Sequence, residues 1–251
     1  MAVRDIPDAM ADRLIVALDV PTIEGAARLS GQLDGIVSFF KIGLWLLLAP
    51  GAERFIDGLI GQGKRLFLDI KMYDIGETVR QGVARAAERG VSLVTVHGDS
   101  EIMRAAVAGK GRSTRTKVFA ISVLTSLNDA AVREMGYALP VAELIKLRVR
   151  QAVACGCDGI IASPDDDPNA IRRMANAEHL LIATPGIREA GSAADDHKRH
   201  ATPAQAIARG ADYLVVGRPI TQADDPAAAA NRITTASRGG ASPAPRRAGA
   251  P

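Results

Sequence analysis

Short apolar runs rich in Val, Ile and Leu alternate along this chain with longer stretches in which apolar residues recur every three to four positions. Runs of the first kind are typical of buried parallel strands, and stretches of the second kind are typical of helices with one apolar face. The predicted strands are residues 13–19, 37–41, 65–71, 92–97, 117–125, 159–163, 180–184 and 213–217. The predicted helices are residues 23–33, 52–61, 75–89, 101–108, 141–155, 168–176, 203–209 and 226–236. This strict alternation predicts repeated β–α units and a parallel sheet.

The number of β–α units and the length of the chain together predict the fold class. The chain has 251 residues, 47% of them hydrophobic, and a (β/α)₈ barrel typically takes about 250 residues as one domain. We therefore predict α/β architecture with a single (β/α)₈ barrel over residues 1–236. Residues 237–251 are rich in Gly, Ala, Pro and Arg without apolar periodicity, so we expect a disordered tail.

Charge and composition argue against a nucleic-acid or membrane protein. The formal net charge is only +3, and three positive charges (Arg238, Arg246 and Arg247) lie in the tail. Aromatic residues make up 4% of the chain, which leaves few platforms for base stacking. The longest apolar run, residues 44–50, is far below the ~20 residues that cross a bilayer. We expect a cytoplasmic protein that binds neither nucleic acid nor membrane.

The two cysteines do not form a recognisable metal site. Cys155 and Cys157 are separated by one residue, and no second Cys or His cluster follows them in the sequence. A tetrahedral zinc site needs four such ligands. We therefore expect reduced thiols and no bound metal.

Three charges stand where the third predicted strand ends: Asp69, Lys71 and Asp74. Side chains alternate faces along a strand, so Phe67, Asp69 and Lys71 are predicted to share the inner side of the barrel. Active sites of such barrels lie at the carboxyl ends of the strands. The pattern alone also fits a structural ion pair.

A second candidate region lies between the last two predicted strands. Residues 185–202 form a long basic connection, which we expect to act as a mobile lid, and Gly217 and Arg218 follow the eighth strand. Loops after strands seven and eight often bind phosphate in these barrels, through backbone amides and a guanidinium group. Without the barrel context the segment would read as a solvated basic loop.

Several motifs fall in order at the predicted carboxyl strand ends. They are Ala17-Leu-Asp19, Lys41-Ile-Gly43, Asp69-x-Lys71-x-x-Asp74-Ile75 with Thr78, Leu124-Thr-Ser126, Thr184-Pro-Gly-Ile-Arg188, Asp195-Asp-His-Lys-Arg199 and Val216-Gly-Arg-Pro-Ile220. With these motifs the chain resembles the orotidine 5′-phosphate decarboxylase family over residues 12–236. The resemblance implies decarboxylation of orotidine 5′-monophosphate to uridine 5′-monophosphate without a cofactor, the last step of de novo pyrimidine nucleotide synthesis.

The resemblance also implies a role for each matching residue. The catalytic residues would be Lys71, Asp69, Asp74 and Lys41. The ribose would contact Asp19 and Lys41, the pyrimidine Thr125 and Ser126, and the phosphate Arg188, His197, Gly217 and Arg218, with Pro185 beside them. In this family two subunits form a homodimer, in which Asp74, Ile75 and Thr78 would reach into the partner's site.

The chain departs from the family pattern at two places. The family commonly reads Asp-Ile-Pro-Asn-Thr where this chain has Asp74-Ile-Gly-Glu-Thr78, and it commonly has Gln where His197 stands. Neither change removes a charge from the catalytic set, so we expect effects on affinity and loop behaviour rather than on activity. His97, which ends the fourth strand, is at least as well explained by packing as by substrate contact.

Two alternative functions remain open from the sequence. Magnesium-dependent 3-keto sugar-acid phosphate decarboxylases and hexulose-phosphate synthases share an Asp-x-Lys-x-x-Asp strand, but they place a Glu metal ligand on strand two, where this chain has Lys41. A non-catalytic barrel that binds a phosphate ligand is the second alternative, because a fold does not guarantee activity.

Overall fold

The computed structural model describes residues 4–113, 115–124, 126–189 and 200–238. The strands are β1 (Leu14–Ala17), β2 (Phe39–Gly43), β3 (Arg65–Met72), β4 (Leu93–Val96), β5 (Lys117–Ile121), β6 (Gly159–Ile161), β7 (Leu181–Thr184) and β8 (Tyr213–Val216). The helices are α1 (Met10–Arg13), α2 (Ile23–Gln32), α3 (Leu44–Leu47), α4 (Ala52–Gly61), α5 (Gly76–Arg89), α6 (Ser100–Lys110), α7 (Asp129–Glu134), α8 (Val141–Ala154), α9 (Pro168–Ala175), α10 (Pro203–Ala208), α11 (Arg218–Thr221) and α12 (Pro226–Arg238). A 3₁₀ turn covers Pro164–Asp166.

The strands form a closed parallel barrel in sequence order, which confirms the predicted fold. Each strand pairs with the next, and β1 pairs with β8 to complete the ring. Alternating side chains point inward and outward, as the period of two requires. The inner layer contains Ile15, Ala17, Phe39, Phe67, Leu93, Phe119, Leu181, Ala183, Tyr213 and Val215. The outward side chains, such as Leu66 and Leu68, pack against the helices in a larger apolar cluster.

Several predicted boundaries were wrong, for local reasons. β5 ends at Ile121 rather than at residue 125. Four short helices were missed, namely α1, α3, α7 and α11, because segments of four to six residues are too short to show a helical period. The first residues of the predicted tail belong to the last helix, since α12 continues to Arg238 and Ser237 is buried with its hydroxyl donating to the carbonyl of Ile233 at 2.7 Å. The rest of the predicted tail, residues 239–251, lies outside the described residues.

The predicted start of the helix after strand seven was correct. Thr202 caps α10: its hydroxyl oxygen accepts from the backbone N–H of Gln205 at 3.3 Å, and the Gln205 side chain accepts from the N–H of Thr202 at 3.0 Å. Pro203 occupies the first turn, where no backbone donor is needed. Among the helices that the structure describes, none is both long and apolar enough to cross a membrane.

The amino-terminal floor of the barrel is held by a buried ion pair between Asp212 and Arg172. Asp212, next to β8, accepts from the guanidinium groups of Arg172 and Arg4 and from the backbone N–H of Ile182. Arg172, on α9, also donates to the carbonyls of Leu180 and Gly210 at 2.8 and 2.7 Å. Burial raises the pKa of Asp212 above its ordinary value, and the neighbouring arginines oppose that rise. The network ties the last strand to α9 and to the amino-terminal segment.

Replacing Asp212 with Asn should destabilise the fold by about 3–5 kcal/mol, because it leaves the buried charge of Arg172 without its partner. Urea unfolding followed by circular dichroism measures this loss. Asp165→Asn is the matched control, since its ion pair with Arg209 is largely exposed and its loss should leave the midpoint nearly unchanged. Equal midpoints for Asp212→Asn and the wild type would show that the network is not needed for stability.

Candidate active site

The charged side chains gather at the carboxyl ends of neighbouring strands. Asp19 lies just beyond β1, Lys41 lies in β2 and Asp69 in β3. The register of β2 and β3 pairs Lys41 with Phe67 and Gly43 with Asp69, so Asp69 lies two residues nearer the carboxyl end than the partner of Lys41, and the Lys41 side chain reaches toward the mouth to meet it. Three adjacent strands therefore aim their charges into one mouth.

Lys41 is a buried cation placed between two carboxylates. Its Nζ lies 3.0 Å from Asp19 Oδ1 and 3.4 Å from Asp69 Oδ2. Gly43 allows this arrangement, because a Cβ there would lie 3.2 Å from Asp19 Oδ1. The ammonium group is thus bound on both sides and has little freedom to move.

Asp69 is the shared carboxylate of the site. Its Oδ1 accepts from Lys71 Nζ at 2.8 Å and from the hydroxyl of Thr95 at 3.1 Å, while Oδ2 faces Lys41. Burial alone would raise the pKa of Asp69, but Lys41 and Lys71 attract the negative form and Lys71 and Thr95 donate hydrogen bonds to it. The net pKa of Asp69 therefore lies below its ordinary value, and the group is ionised at neutral pH.

Lys71 meets Asp69 as predicted, but not through a regular strand. Lys71 has φ +47°, a left-handed conformation that is rare for a residue with a side chain. The pairing of β3 with β4 shifts between Leu68 and Met72, so the strict alternation that we expected up to residue 71 was wrong there. The irregularity leaves the Lys71 side chain 41% exposed at the mouth, with its ammonium on Asp69.

Among the described residues, Asp74, Ile75 and Thr78 make no hydrogen bond or ion pair with Asp19, Lys41, Asp69 or Lys71. All three are exposed, and Ile75 keeps 72% of its surface accessible. In the described part of the chain, the carboxylate of Asp74 accepts from the backbone N–H of Ile75 at 2.7 Å and makes no ion pair with Lys71. The role of these residues in a partner's site stays a prediction.

The predicted phosphate segments follow β7 and β8, next to β1 in the closed ring. Pro185 follows β7, and a bridge joins Ile187 to Ala201, so the two described ends of the connection run side by side. Arg188 is buried and donates to the carbonyl of Ile187 at 2.9 Å. Gly217 precedes α11, whose first residue is Arg218. These elements stand at neighbouring strand ends.

Some predicted site residues lie outside the described residues. They are Thr125 and His197, and with His197 most of the expected lid, residues 190–199. Ser126 is described and is exposed beyond β5. Among the described residues, no group of three His, Cys, Asp or Glu side chains is close enough to hold a metal ion.

One residue that bonds the charged network was not in our predicted set. Thr95, on β4, is fully buried and bonds both Asp69 and the backbone of Lys71. For His97 the sequence left packing and substrate contact open, and in the structure its Nδ1 lies 2.8 Å from Asp99 Oδ2 and its ring centroid lies 4.4 Å from that of Tyr73. The signal for Thr95 was present in the sequence, as a polar residue at an inward position of an otherwise apolar strand.

Comparison with known proteins agrees with this arrangement. Residues 12–233 match the orotidine 5′-phosphate decarboxylase / HUMPS family. The chain belongs to this family.

Relatives within the orotidine 5′-phosphate decarboxylase / HUMPS family cover nearly the whole chain. An orotidine 5′-phosphate decarboxylase of Afipia carboxidovorans is 50% identical over 227 residues, 90% of this chain and 95% of that protein. One of Methylorubrum extorquens is 48% identical over 222 residues, 88% of this chain and 94% of that protein. The crystal structure of orotidine 5′-phosphate decarboxylase from Lactobacillus acidophilus matches with a TM-score of 0.78 and 33% identity, over 90% of this chain and 99% of that one. The resemblance expected from the motifs is confirmed.

Removing Lys41 should raise the pKa of Asp69. Burial has the largest influence on the pKa of that carboxyl and raises it. Without Lys41, only Lys71 and Thr95 would oppose this rise. A depressed carboxyl pKa contributes stability that is present above the unfolded value of ~3.9 and is lost as pH falls through the folded value. In Lys41→Met this acid-side loss should begin at higher pH.

Carbon-13 NMR titration of the Asp69 carboxyl checks this expectation in wild type and Lys41→Met. Lys64→Met serves as the control, since Lys64 pairs with the exposed Asp34 and not with Asp69. An unchanged Asp69 titration in Lys41→Met would mean that Lys41 does not act on this carboxylate.

Proposed function

We propose that this protein decarboxylates orotidine 5′-monophosphate to uridine 5′-monophosphate and CO₂, the last step of de novo pyrimidine nucleotide biosynthesis. The observation that carries the proposal is the alternating network of Asp19, Lys41, Asp69 and Lys71 at the mouth of a barrel of this family. The relatives that cover most of the chain are described as decarboxylases of this nucleotide. Both nucleotides carry a charged phosphate that does not cross membranes unaided, which supports a cytoplasmic location for the reaction.

The chemistry requires a cation next to the reacting carbon. Breaking the bond between C6 of the pyrimidine and its carboxylate leaves the electron pair in an in-plane orbital on C6, and the proposed reaction uses no cofactor to accept it. The ammonium of Lys71 would stabilise that pair and then transfer a proton to C6 as CO₂ leaves. Solvent returns the proton to Lys71 afterwards.

The network holds the lysine in place before the substrate arrives. Unit charges ~4 Å apart attract by about 4 kcal/mol at an effective dielectric constant of 20. Enzymes typically lower barriers by ~8–23 kcal/mol, so preorganised charge supplies a part and not the whole. Asp69 beside the substrate carboxylate would also raise the energy of the bound ground state.

The remaining binding energy would come from the phosphate, at the ends of β7 and β8. We assign the phosphate to Arg188, His197, Gly217 and Arg218, with Pro185 at the start of their loop. Thr125 and Ser126 would meet the pyrimidine, and Asp19 with Lys41 the ribose hydroxyls. Phosphate binding would help to exclude water from the charged network.

A homodimer would complete each site. Asp74, Ile75 and Thr78 are exposed, and the exposed apolar side chains nearby begin at the ends of the adjacent strands β2 and β3. They are Leu44, Trp45, Leu48, Tyr73 and Ile75. An apolar patch of this kind marks an interaction surface. In the dimer Asp74 of one chain would stand beside Lys71 of the other and extend the alternation of charges.

The metal-dependent members that share the strand-three motif are not favoured. Their metal ligand on strand two would have to stand where Lys41 places a buried ammonium group between Asp19 and Asp69. That cation would repel a divalent ion at the same point. A catalytically inactive barrel would have no use for this arrangement of charges.

Lys71→Ala should abolish decarboxylation while nucleotide binding stays measurable, since the residue acts on the transition state and the proton step. The assay follows the absorbance of orotidine 5′-monophosphate with and without EDTA, and binding of uridine 5′-monophosphate is measured by calorimetry. Lys64→Ala, far from the mouth, is the control. Activity of Lys71→Ala within about tenfold of the wild type would refute the assignment. Loss of wild-type activity in EDTA would favour the metal-dependent alternative.

Mixing Lys71→Ala and Asp74→Asn chains should restore activity if Asp74 acts in the partner's site. Each heterodimer then has one intact site and one doubly damaged site, and random pairing yields about a quarter of wild-type activity. Subunit exchange is verified by mass spectrometry of tagged chains, and each parent alone is the control. No recovery after verified exchange would place Asp74 outside the partner's site.

A further inference from the structure

The backbone around Lys71 is held in an unfavourable shape by the neighbouring strand. Four residue steps along β3, from Leu68 to Met72, face only two along β4, from Val94 to Val96. The additional chain is accommodated with Lys71 at φ +47°. A left-handed conformation at a residue with a Cβ persists only where its surroundings hold it.

Thr95 stabilises this backbone conformation from inside the barrel. Its hydroxyl oxygen accepts from the backbone N–H of Lys71 at 3.1 Å, and its hydrogen is donated to Asp69 Oδ1 at 3.1 Å. One hydroxyl can do both, since it is a donor and an acceptor at once. Thr95 is fully buried, so water does not compete for either bond.

His97 holds the other end of the irregular segment. Its backbone N–H donates to the carbonyl of Met72 at 3.0 Å, and its ring lies against Tyr73. Both ends of the distorted stretch are therefore tied to β4. Of these two contacts between β3 and β4, the one at Thr95 also includes a hydrogen bond to Asp69, a charged residue of the site.

We infer that Thr95 is a positioning residue for the decarboxylation: its hydroxyl holds the left-handed turn at Lys71 and the rotamer of Asp69 together. The inference rests on the proposed function of Lys71. The Lys71 N–H and Asp69 Oδ1 belong to the two residues whose side chains form the 2.8 Å ion pair. Without the hydroxyl, the Lys71 N–H is left without this acceptor and Asp69 loses one of its donors. The ammonium group then no longer points in one direction.

The test replaces the hydroxyl while keeping the shape of the side chain. Thr95→Val removes both hydrogen bonds, and kcat should fall about a hundredfold, as expected for a misplaced catalytic group. The affinity for uridine 5′-monophosphate should stay within about threefold, since the phosphate contacts lie across the mouth. Thr95→Ser keeps the hydroxyl, and its kcat should stay within about threefold of the wild type.

Thr116→Val is the matched control for general loss of stability. Thr116 is also fully buried, and its hydroxyl donates to the carbonyl of Val91 at 2.7 Å, but it precedes β5 at the opposite end of the barrel. Thr116→Val should unfold at lower urea concentration than the wild type and keep its kcat. Should Thr95→Val fail to fold, Thr95→Cys, with a weaker donor and acceptor, should show a reduced kcat in a folded protein.

Three results would overturn the inference. The first is a folded Thr95→Val, or a folded Thr95→Cys in its place, whose kcat is near that of the wild type. The second is a Thr95→Ser variant whose kcat is as low as that of Thr95→Val. The third is a loss of kcat in Thr116→Val equal to the loss in Thr95→Val. If the wild type itself does not decarboxylate the nucleotide, the proposed function fails instead. Crystal structures of the wild type and Thr95→Val then decide the inference alone: Lys71 at the same positive φ, with the same contact to Asp69, would refute it.

Discussion

The carboxylate of Asp69 is the interaction on which the mouth of this barrel depends. A buried carboxylate is costly unless charges and donors surround it, and here Lys41, Lys71 and Thr95 fill that role from three strands. Because the same carboxylate binds both ammonium groups, the position of each lysine depends on the other. The irregular backbone at Lys71 is part of this arrangement, since a strand in regular register would not offer the Lys71 N–H to Thr95.

Charged side chains are buried to different extents at the two ends of the barrel. At the floor, Asp212 and Arg172 are each almost fully buried, and their hydrogen-bonding groups are directed to protein partners. At the mouth, Asp19 and Lys71 keep 45% and 41% of their side chains exposed although each is paired. The floor is built for stability. The mouth keeps charged groups available to a ligand, which is expected where binding takes precedence over stability.

The ring of strands sets Lys71 apart from the start of the predicted phosphate loop. Lys71 lies on β3 and Pro185 follows β7, four places away in a closed ring of eight. The charged network as a whole spans β1 to β3, and it adjoins the predicted phosphate segments where β1 pairs with β8. This separation suits an elongated ligand with its reacting carbon at one end and a phosphate at the other. In the proposed reaction, binding of the phosphate would support the chemistry at Lys71 without contact to the reacting carbon.

The sequence by itself determined the fold and the inward position of Asp69, because both follow from local periodicity. Alternating apolar runs predicted the barrel, and the period of two placed Phe67 and Asp69 inward. Ordered motifs at strand ends then identified the family. Only the tertiary structure decided how Lys71 meets Asp69. The register shift between β3 and β4 and the two hydrogen bonds of Thr95 join residues that are far apart in the chain. The periodicity of apolar and polar residues within one strand does not specify how that strand pairs with its neighbour.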